Sequence, residues 1–119
     1  MTGFREVRQQ LAQHRICLER DTAAGIIPER AFTAIDDCYA DIAHLLETAR
    51  VEVEAAGPGL EPGFVGLFVG GCARLDRQMF ATMYRSRDEA DLASRAARVR
   101  AEARALHELL WLRLGLAAA

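Results

Sequence analysis

"FTAIDDCYADIAHLLETARVEVEAA", residues 32–56, carries an apolar side chain at every third or fourth position without interruption. Because an α-helix turns once in about 3.6 residues, side chains spaced in this way lie on one face of the helix. The stretch therefore predicts a long amphipathic helix that buries one face against the rest of the protein. The predicted buried face contains Phe32, Ile35, Tyr39, Ile42, Leu46, Ala49, Val53 and Ala56.

Three further segments repeat this spacing, and breaks in the chain separate them. Gly25 and Pro28 suit the end of one helix and the first turn of the next, and "GPGLEPG", residues 57–63, is a loop by composition. No segment shows the two-residue alternation of a β-strand. We therefore predict one all-α domain over residues 1–119, a four-helix up-down antiparallel bundle. The expected helices lie near residues 3–22, 28–56, 63–85 and 87–115.

The third break is predicted from "SRDE", residues 86–89, which matches a capping box with Ser86 as the N-cap and Glu89 three residues later. Without a break, the apolar face of the third segment would continue through Ser86 and Glu89. Burial of these two polar side chains would be unfavourable. Two helices are therefore expected here, with one long bent helix over residues 64–115 as the alternative.

The composition argues against several classes of protein. A chain of 119 residues with 51% hydrophobic and 27% charged residues fits a single globular domain. Its formal net charge of -2 lacks the basic surplus of nucleic-acid-binding proteins, so no nucleic-acid partner is expected. The longest apolar run, residues 62–73, is too short to span a bilayer, and the N-terminus lacks the apolar stretch of a signal peptide. We expect a cytoplasmic protein with no membrane partner and no cofactor.

Three glycines stand close together in "FVGLFVGGCARLDRQMF", residues 64–80. A phosphate loop needs a lysine, which the chain lacks, and the dinucleotide fingerprint Gly-x-Gly-x-x-Gly is absent. A glycine inside a helix costs about 1 kcal/mol relative to alanine. Gly66 and Gly70 share a helix face, so they predict the close approach of another helix or of a flat ligand. A ligand groove here would include Gly71 and Cys72, and a later helix start is the third explanation.

His14 and Cys17 are candidate metal ligands, because they lie three residues apart on one helix face and Zn²⁺ or Cu²⁺ accepts imidazole and thiolate. With Cys72 they would place a metal, haem or apolar-ligand site between the first and third helices. A closed zinc site needs about four ligands, and the chain has no CxxC pair. The alternative is that the three widely spaced cysteines form no disulfides and pack as small apolar side chains.

Asp41 and His44 have the acid–histidine spacing of di-iron bundles, which need this spacing twice. The chain has it once. His44 falls opposite the apolar face, so we expect it to face solvent. A solvent-facing histidine on a four-helix bundle is similar to that of phosphotransfer domains. The lysine and glycine that follow the histidine in those domains are absent from "HLLE", residues 44–47.

Arg100 and His107 lie one heptad apart on one face of the fourth predicted helix. This pair resembles the arginine and histidine of small helical ribonucleases of the HEPN type. The resemblance implies RNA cleavage with these two residues in the active site. The polar residue that usually follows the arginine is Ala101 in this chain. The alternative is a solvated, salt-bridged helix surface.

Charge is spread unevenly along the chain. Residues 29–56 contain seven acidic residues and two arginines, a net charge of -5. This acidic second helix is expected to lie beside a helix that carries arginines. The candidates are Arg95, Arg98 and Arg104.

The C-terminal stretch "LHELLWLRLGL", residues 106–116, is apolar on more than one helix face. Leu106, Leu110 and Leu114 continue the buried face, and further apolar side chains cover the other faces. Exposed apolar patches mark interaction sites, and tryptophan is favoured at interface hot spots. The alternative is that the long second helix covers this end. The predicted interface, for a homodimer or another protein partner, contains Leu109, Trp111, Leu112 and Leu116.

These patterns lead to three functional hypotheses. The first is a non-enzymatic cytoplasmic bundle that acts through self-association and protein contacts, as an adaptor, chaperone or regulator. The second is a bundle that binds a ligand, haem or metal between helices one and three. The third is a small helical ribonuclease-like enzyme. Four-helix bundles host many unrelated functions, so the fold alone does not choose among them.

Overall fold

A computed structural model describes residues 3–56, 62–85 and 88–118, without the side chains of residues 56, 62 and 114–118. It contains four α-helices: α1 (Phe4–Ala23), α2 (Phe32–Ala56), α3 (Pro62–Arg85) and α4 (Glu89–Ala118). The described ranges contain no β-strand, which confirms the predicted all-α class. None of the described helices has both the length and the apolar character needed to cross a membrane.

The helices form the predicted up-down bundle. α2 contacts each of the other three helices, and α3 contacts α1 and α4 as well. Arg74 lies beside Glu102, and Gly71 lies beside Leu106, so α3 and α4 run in opposite directions. The alternative of one long bent helix is excluded, because α3 and α4 pack side by side.

The core follows the apolar faces that the spacing predicted. In α2 the side chains of Ile35, Tyr39, Ile42 and Ala49 have no solvent exposure. Complete burial of a large apolar side chain stabilises a fold by about 1.5–3 kcal/mol, so these faces account for the compact bundle. Other buried residues at this three- and four-residue spacing are Val7, Leu11, Leu18, Leu46, Phe68, Cys72, Leu75, Met79, Met83, Leu92, Ala96, Val99, Ala103 and Leu110.

The connection between α1 and α2 turns at Gly25, whose φ of 77° lies in the left-handed region that glycine adopts most easily. The backbone N–H groups of Ile26 and Ile27 donate to the carbonyl of Asp21, at 2.9 and 3.1 Å. Pro28 was predicted to open the second helix, but its ψ of 131° is extended. A single 3₁₀ turn, Glu29–Ala31, follows it, so α2 begins four residues later than predicted.

The start of α4 is fixed by Asp88. Its Oδ1 accepts a hydrogen bond from the backbone N–H of Asp91 at 2.8 Å, and its carbonyl accepts the N–H of Leu92. Such a side-chain bond satisfies a donor that the first helical turn leaves unpaired. The predicted N-cap, Ser86, lies outside the described residues, and α4 begins at Glu89 instead of residue 87.

Gly66, Gly70 and Gly71 of α3 lie in different surroundings. Among the described residues, nothing lies within 4 Å of a Cβ placed at Gly66 or Gly70, so the prediction of close helix packing at this pair is wrong. A Cβ at Gly71 would lie 2.8 Å from Leu106 Cδ1. The close approach therefore occurs one residue further along the helix, where α3 meets α4.

We expect opposite effects from substitutions at the two adjacent glycines. Gly70→Ala should raise the free energy of unfolding by about 0.5–1 kcal/mol, because alanine favours the helix and its methyl group meets nothing. Gly71→Leu should lower it by about 1–3 kcal/mol, because the new side chain must displace Leu106. Urea denaturation of both variants measures the two values. Shifts in the same direction would contradict the orientation assigned to this face.

Candidate functional site

The most distinctive polar site lies between α2 and α4, which run in the same direction. Cys38 Sγ donates a long hydrogen bond to the carbonyl of Ala96, at 3.8 Å. One turn later, Arg100 Nε donates to Asp41 Oδ2 at 2.7 Å. α2 and α4 therefore stay aligned as they run towards their C-termini. Further along, polar side chains of the two helices also come together.

The two histidines of this register, His44 and His107, meet edge to face with ring centroids 5.4 Å apart. The His107 ring also stacks on Trp111, with centroids 6.1 Å apart and planes inclined by 24°. His44 is exposed, as its position opposite the apolar face predicted. Imidazole can donate or accept a proton near neutral pH, so the pair can supply acid–base chemistry.

The side chains of His44 and His107 line a small cleft of about 130 Å³ between the two helices. We name it the α2–α4 cleft. The carboxylate of Asp41 raises the pKa of Arg100 above its ordinary value, through their hydrogen bond and then through its charge, so this guanidinium stays protonated. The lining residues are Asp41, His44, Arg100, Ala103, Arg104 and His107.

The structure thus brings the two separate sequence candidates, Asp41 with His44 and Arg100 with His107, into one site.

The acidic second helix does lie beside arginines, as its charge predicted. The partners are Arg100, and Arg15 of α1, which pairs with Asp36 at 3.0 Å. Among the described residues, the expected arginines 95, 98 and 104 form no ion pair with α2.

A second polar pair lies inside the core. His14 Nδ1 is 2.7 Å from Oδ1 of Asp76, whose side chain is completely buried. His14 stacks on Phe80 with ring centroids 4.0 Å apart, so the pair joins α1 to α3. Burial raises the pKa of Asp76, and the hydrogen bond from His14 opposes that shift. Among the described residues, Asp76 Oδ2 has no hydrogen-bond partner.

Sequence reasoning singled out His14 as a candidate ligand but missed Asp76. A usable signal was present, because Asp76 lies four residues after Cys72 and three before Met79, both on the buried face. An acidic residue at such spacing needs a partner inside the core.

The predicted ligand or metal site between α1 and α3 stays a prediction. Gly66 and Gly70 are exposed, whereas the side chain of Cys72 is completely buried. Burial raises the pKa of the Cys72 thiol to about 12, which keeps it protonated. Within the described ranges, no three His, Cys, Asp or Glu side chains are placed to hold a metal ion, so His14 and Cys17 have no third ligand there.

The predicted interface residues lie at the C-terminal part of α4. Trp111 is 51% exposed and Leu112 is 61% exposed, whereas Leu109 packs partly against the core. The side chain of Leu116 lies outside the described residues. We name Leu109, Trp111 and Leu112 the α4 patch. It begins where the α2–α4 cleft ends, because Trp111 stacks on His107.

Comparison with known proteins gives no relative from which a function could be transferred. No protein-family model matches the chain, and the searches of curated proteins and of solved structures found no significant match. The functional conclusions therefore rest on the residues and their geometry.

Loss of the His14 side chain is expected to destabilise the fold strongly. In His14→Ala the buried carboxyl of Asp76 loses its hydrogen bond, and the free energy of unfolding should fall by about 3–5 kcal/mol. Thermal and urea denaturation at neutral pH measure this loss. A loss as small as that of an exposed residue would contradict the burial of the pair.

The same pair makes a pH prediction. Because the folded pKa of Asp76 is raised, the folded protein holds this proton more tightly than the unfolded chain does. The contribution of the protonated Asp76 carboxyl to stability is therefore greatest below its unfolded pKa of about 3.9, and it is lost as the pH rises through its folded pKa. Asp76→Asn, which cannot ionise, should be more stable than the parent at neutral pH, with a gain that shrinks towards about pH 4. A gain that does not vary with pH would contradict this assignment.

Proposed function

We propose that this protein acts through protein contacts, first with a second copy of itself, by means of the α4 patch. The observation that carries the proposal is the exposure of two adjacent large apolar side chains, Trp111 and Leu112, on the longest helix. Tryptophan is among the residues most enriched at interface hot spots. A non-enzymatic role as an adaptor, chaperone or regulator fits such a surface.

A homodimer suits the spacing of residues along α4. If two α4 helices pack antiparallel about a point between residues 110 and 111, Leu109 lies level with the partner's Leu112. A two-fold interface of this kind repeats each contact, so the apolar pair is formed twice.

A stable dimer buries about 800 Å² on each partner, so the α4 patch needs neighbouring apolar surface. Two further exposed apolar side chains are available on helices that contact α4. Val51 lies one heptad after His44 on α2, and Leu67 lies on α3. Together with the patch they would extend the apolar centre of the interface.

We further propose that the protein works in the cytoplasm. The three cysteines are all free, which fits a reducing compartment. Burial raises the pKa of Cys38 and of Cys72 to about 12, so both thiols resist oxidation and behave as apolar side chains.

Light scattering coupled to size-exclusion chromatography tests the dimer. The parent protein should elute as a dimer, and Trp111→Ala should shift the mass towards the monomer with an unchanged circular dichroism spectrum. Ile16→Ala, at a residue that is 62% exposed on α1, is the matched control and should leave the mass unchanged. A monomeric parent, or a Trp111→Ala variant that stays fully dimeric, would count against the proposal.

The second candidate function is RNA cleavage in the α2–α4 cleft. The specific observation in its favour is that Arg100 and His107 line one cleft, which also contains His44. Two imidazoles and a guanidinium can move protons and stabilise charge in phosphodiester cleavage. The fixed ion pair between Arg100 and Asp41 positions the guanidinium at the wall of the cleft.

Incubation with single-stranded RNA in the presence of a chelator tests this candidate. His107→Ala should abolish cleavage, and Arg30→Gln, an exposed substitution outside the cleft, should not affect it. Cleavage that survives His107→Ala would eliminate the candidate, as would a parent protein without activity.

A further inference from the structure

The α2–α4 cleft carries more positive than negative groups, although the chain as a whole is acidic. Two guanidiniums and two imidazoles line it, with Asp41 as the one carboxylate of the lining. Asp41 is already paired with Arg100 at 2.7 Å. Among the described residues no acidic side chain forms an ion pair with Arg104, so its charge is available to a ligand. A metal ion is disfavoured here because the guanidiniums would repel it.

His107 supplies an independent sign of a missing interaction. Its Nε2 is buried and has no hydrogen-bond partner among the described residues. The ring packs against both Trp111 and His44. A buried ring nitrogen without a partner is unfavourable, and it marks a place where a ligand atom can complete the site.

We propose that the α2–α4 cleft binds a phosphate group. His107 Nε2, His44 and Arg104 donate hydrogen bonds to its oxygens, while Arg100, fixed by Asp41, adds positive charge at the wall. Charge-assisted hydrogen bonds of this type are among the strongest that side chains make. The volume of about 130 Å³ exceeds the roughly 30 Å³ of one water and falls below the roughly 300 Å³ of small drug-sized pockets. The cleft therefore takes the phosphate and leaves the rest of a larger ligand outside.

This inference does not depend on the dimer. It deepens the second candidate function, because RNA cleavage at this cleft needs phosphate binding, whereas phosphate binding does not need cleavage. The two can therefore fail separately. Two acidic groups act on Arg100: Asp41 through its hydrogen bond and charge, and Asp37 through its charge.

The chain offers a convenient spectroscopic test, because it has only three histidines. The ¹H–¹⁵N signals of the imidazole rings are followed while inorganic phosphate is added at constant pH and ionic strength. We expect saturable shifts of His44 and His107. The His14 ring, which is packed against Phe80 and bonded to Asp76, serves as the internal control and should not move.

Two exposed arginines give the matched variants. Arg104→Gln should weaken phosphate binding about tenfold, the loss expected for one charged hydrogen bond. Arg30→Gln removes the same charge outside the cleft and should leave the affinity unchanged. Both side chains are exposed, so both variants should fold as the parent does. The proposal is overturned if no saturable shift occurs, if His14 shifts equally, or if the two variants lose affinity to the same degree.

A second titration identifies the source of the phosphate. A short single-stranded RNA with 2′-O-methyl groups, which block cleavage through the 2′-hydroxyl, is added in place of inorganic phosphate. Tighter binding of the oligonucleotide with the same histidine shifts supports the site and assigns it to a phosphodiester chain. Equal or weaker binding supports the site and assigns it to a free phosphate or a small phosphorylated molecule.

Discussion

Burial of one face of α2 is the constraint on which the rest of the structure depends. α2 is in contact with all three other helices, and its apolar face is the central wall of the core. Once Ile35, Tyr39 and Ile42 are buried, the direction in which the opposite side chains point is also set. The same constraint therefore leaves Asp41 at the edge of α2 and His44 exposed, where α4 can present Arg100 and His107 to them.

A polar pair in the core complements this apolar wall. A buried ion pair is weak evidence for added stability, because desolvation of both groups opposes their attraction. Its geometric effect is clearer. Only one alignment of α1 and α3 places His14 within 2.7 Å of Asp76, so the pair favours a single register between two helices that otherwise share an interchangeable apolar surface.

Much of the fold was predictable from the sequence, because apolar spacing determines which face of each helix is buried. The beginning of α2 was less predictable, since Pro28 is compatible with a first helical turn but adopts an extended conformation here. The direction of the glycine face was also misjudged. Gly70 and Gly71 are adjacent in sequence, and a rotation of one residue decides whether a glycine meets α4 or not.

The candidate site was predictable only in parts. Sequence spacing singled out Asp41 with His44 and Arg100 with His107, each as a pair within one helix. Their union depends on the parallel register of α2 and α4, which is a property of packing between distant segments and is not encoded in spacing along either helix. The buried nitrogen of His107 is likewise visible only in three dimensions.

The α2–α4 cleft and the α4 patch share a border at Trp111, whose ring stacks on His107. Both functional ideas therefore require the register that brings His44 beside His107. A nuclear Overhauser measurement between the ring protons of these two histidines tests that register most directly. We expect a cross-peak between the two imidazole rings and a second cross-peak from His107 to the Trp111 ring. A His107 ring that contacts Trp111 but gives no cross-peak to His44 would contradict the register, and with it the cleft.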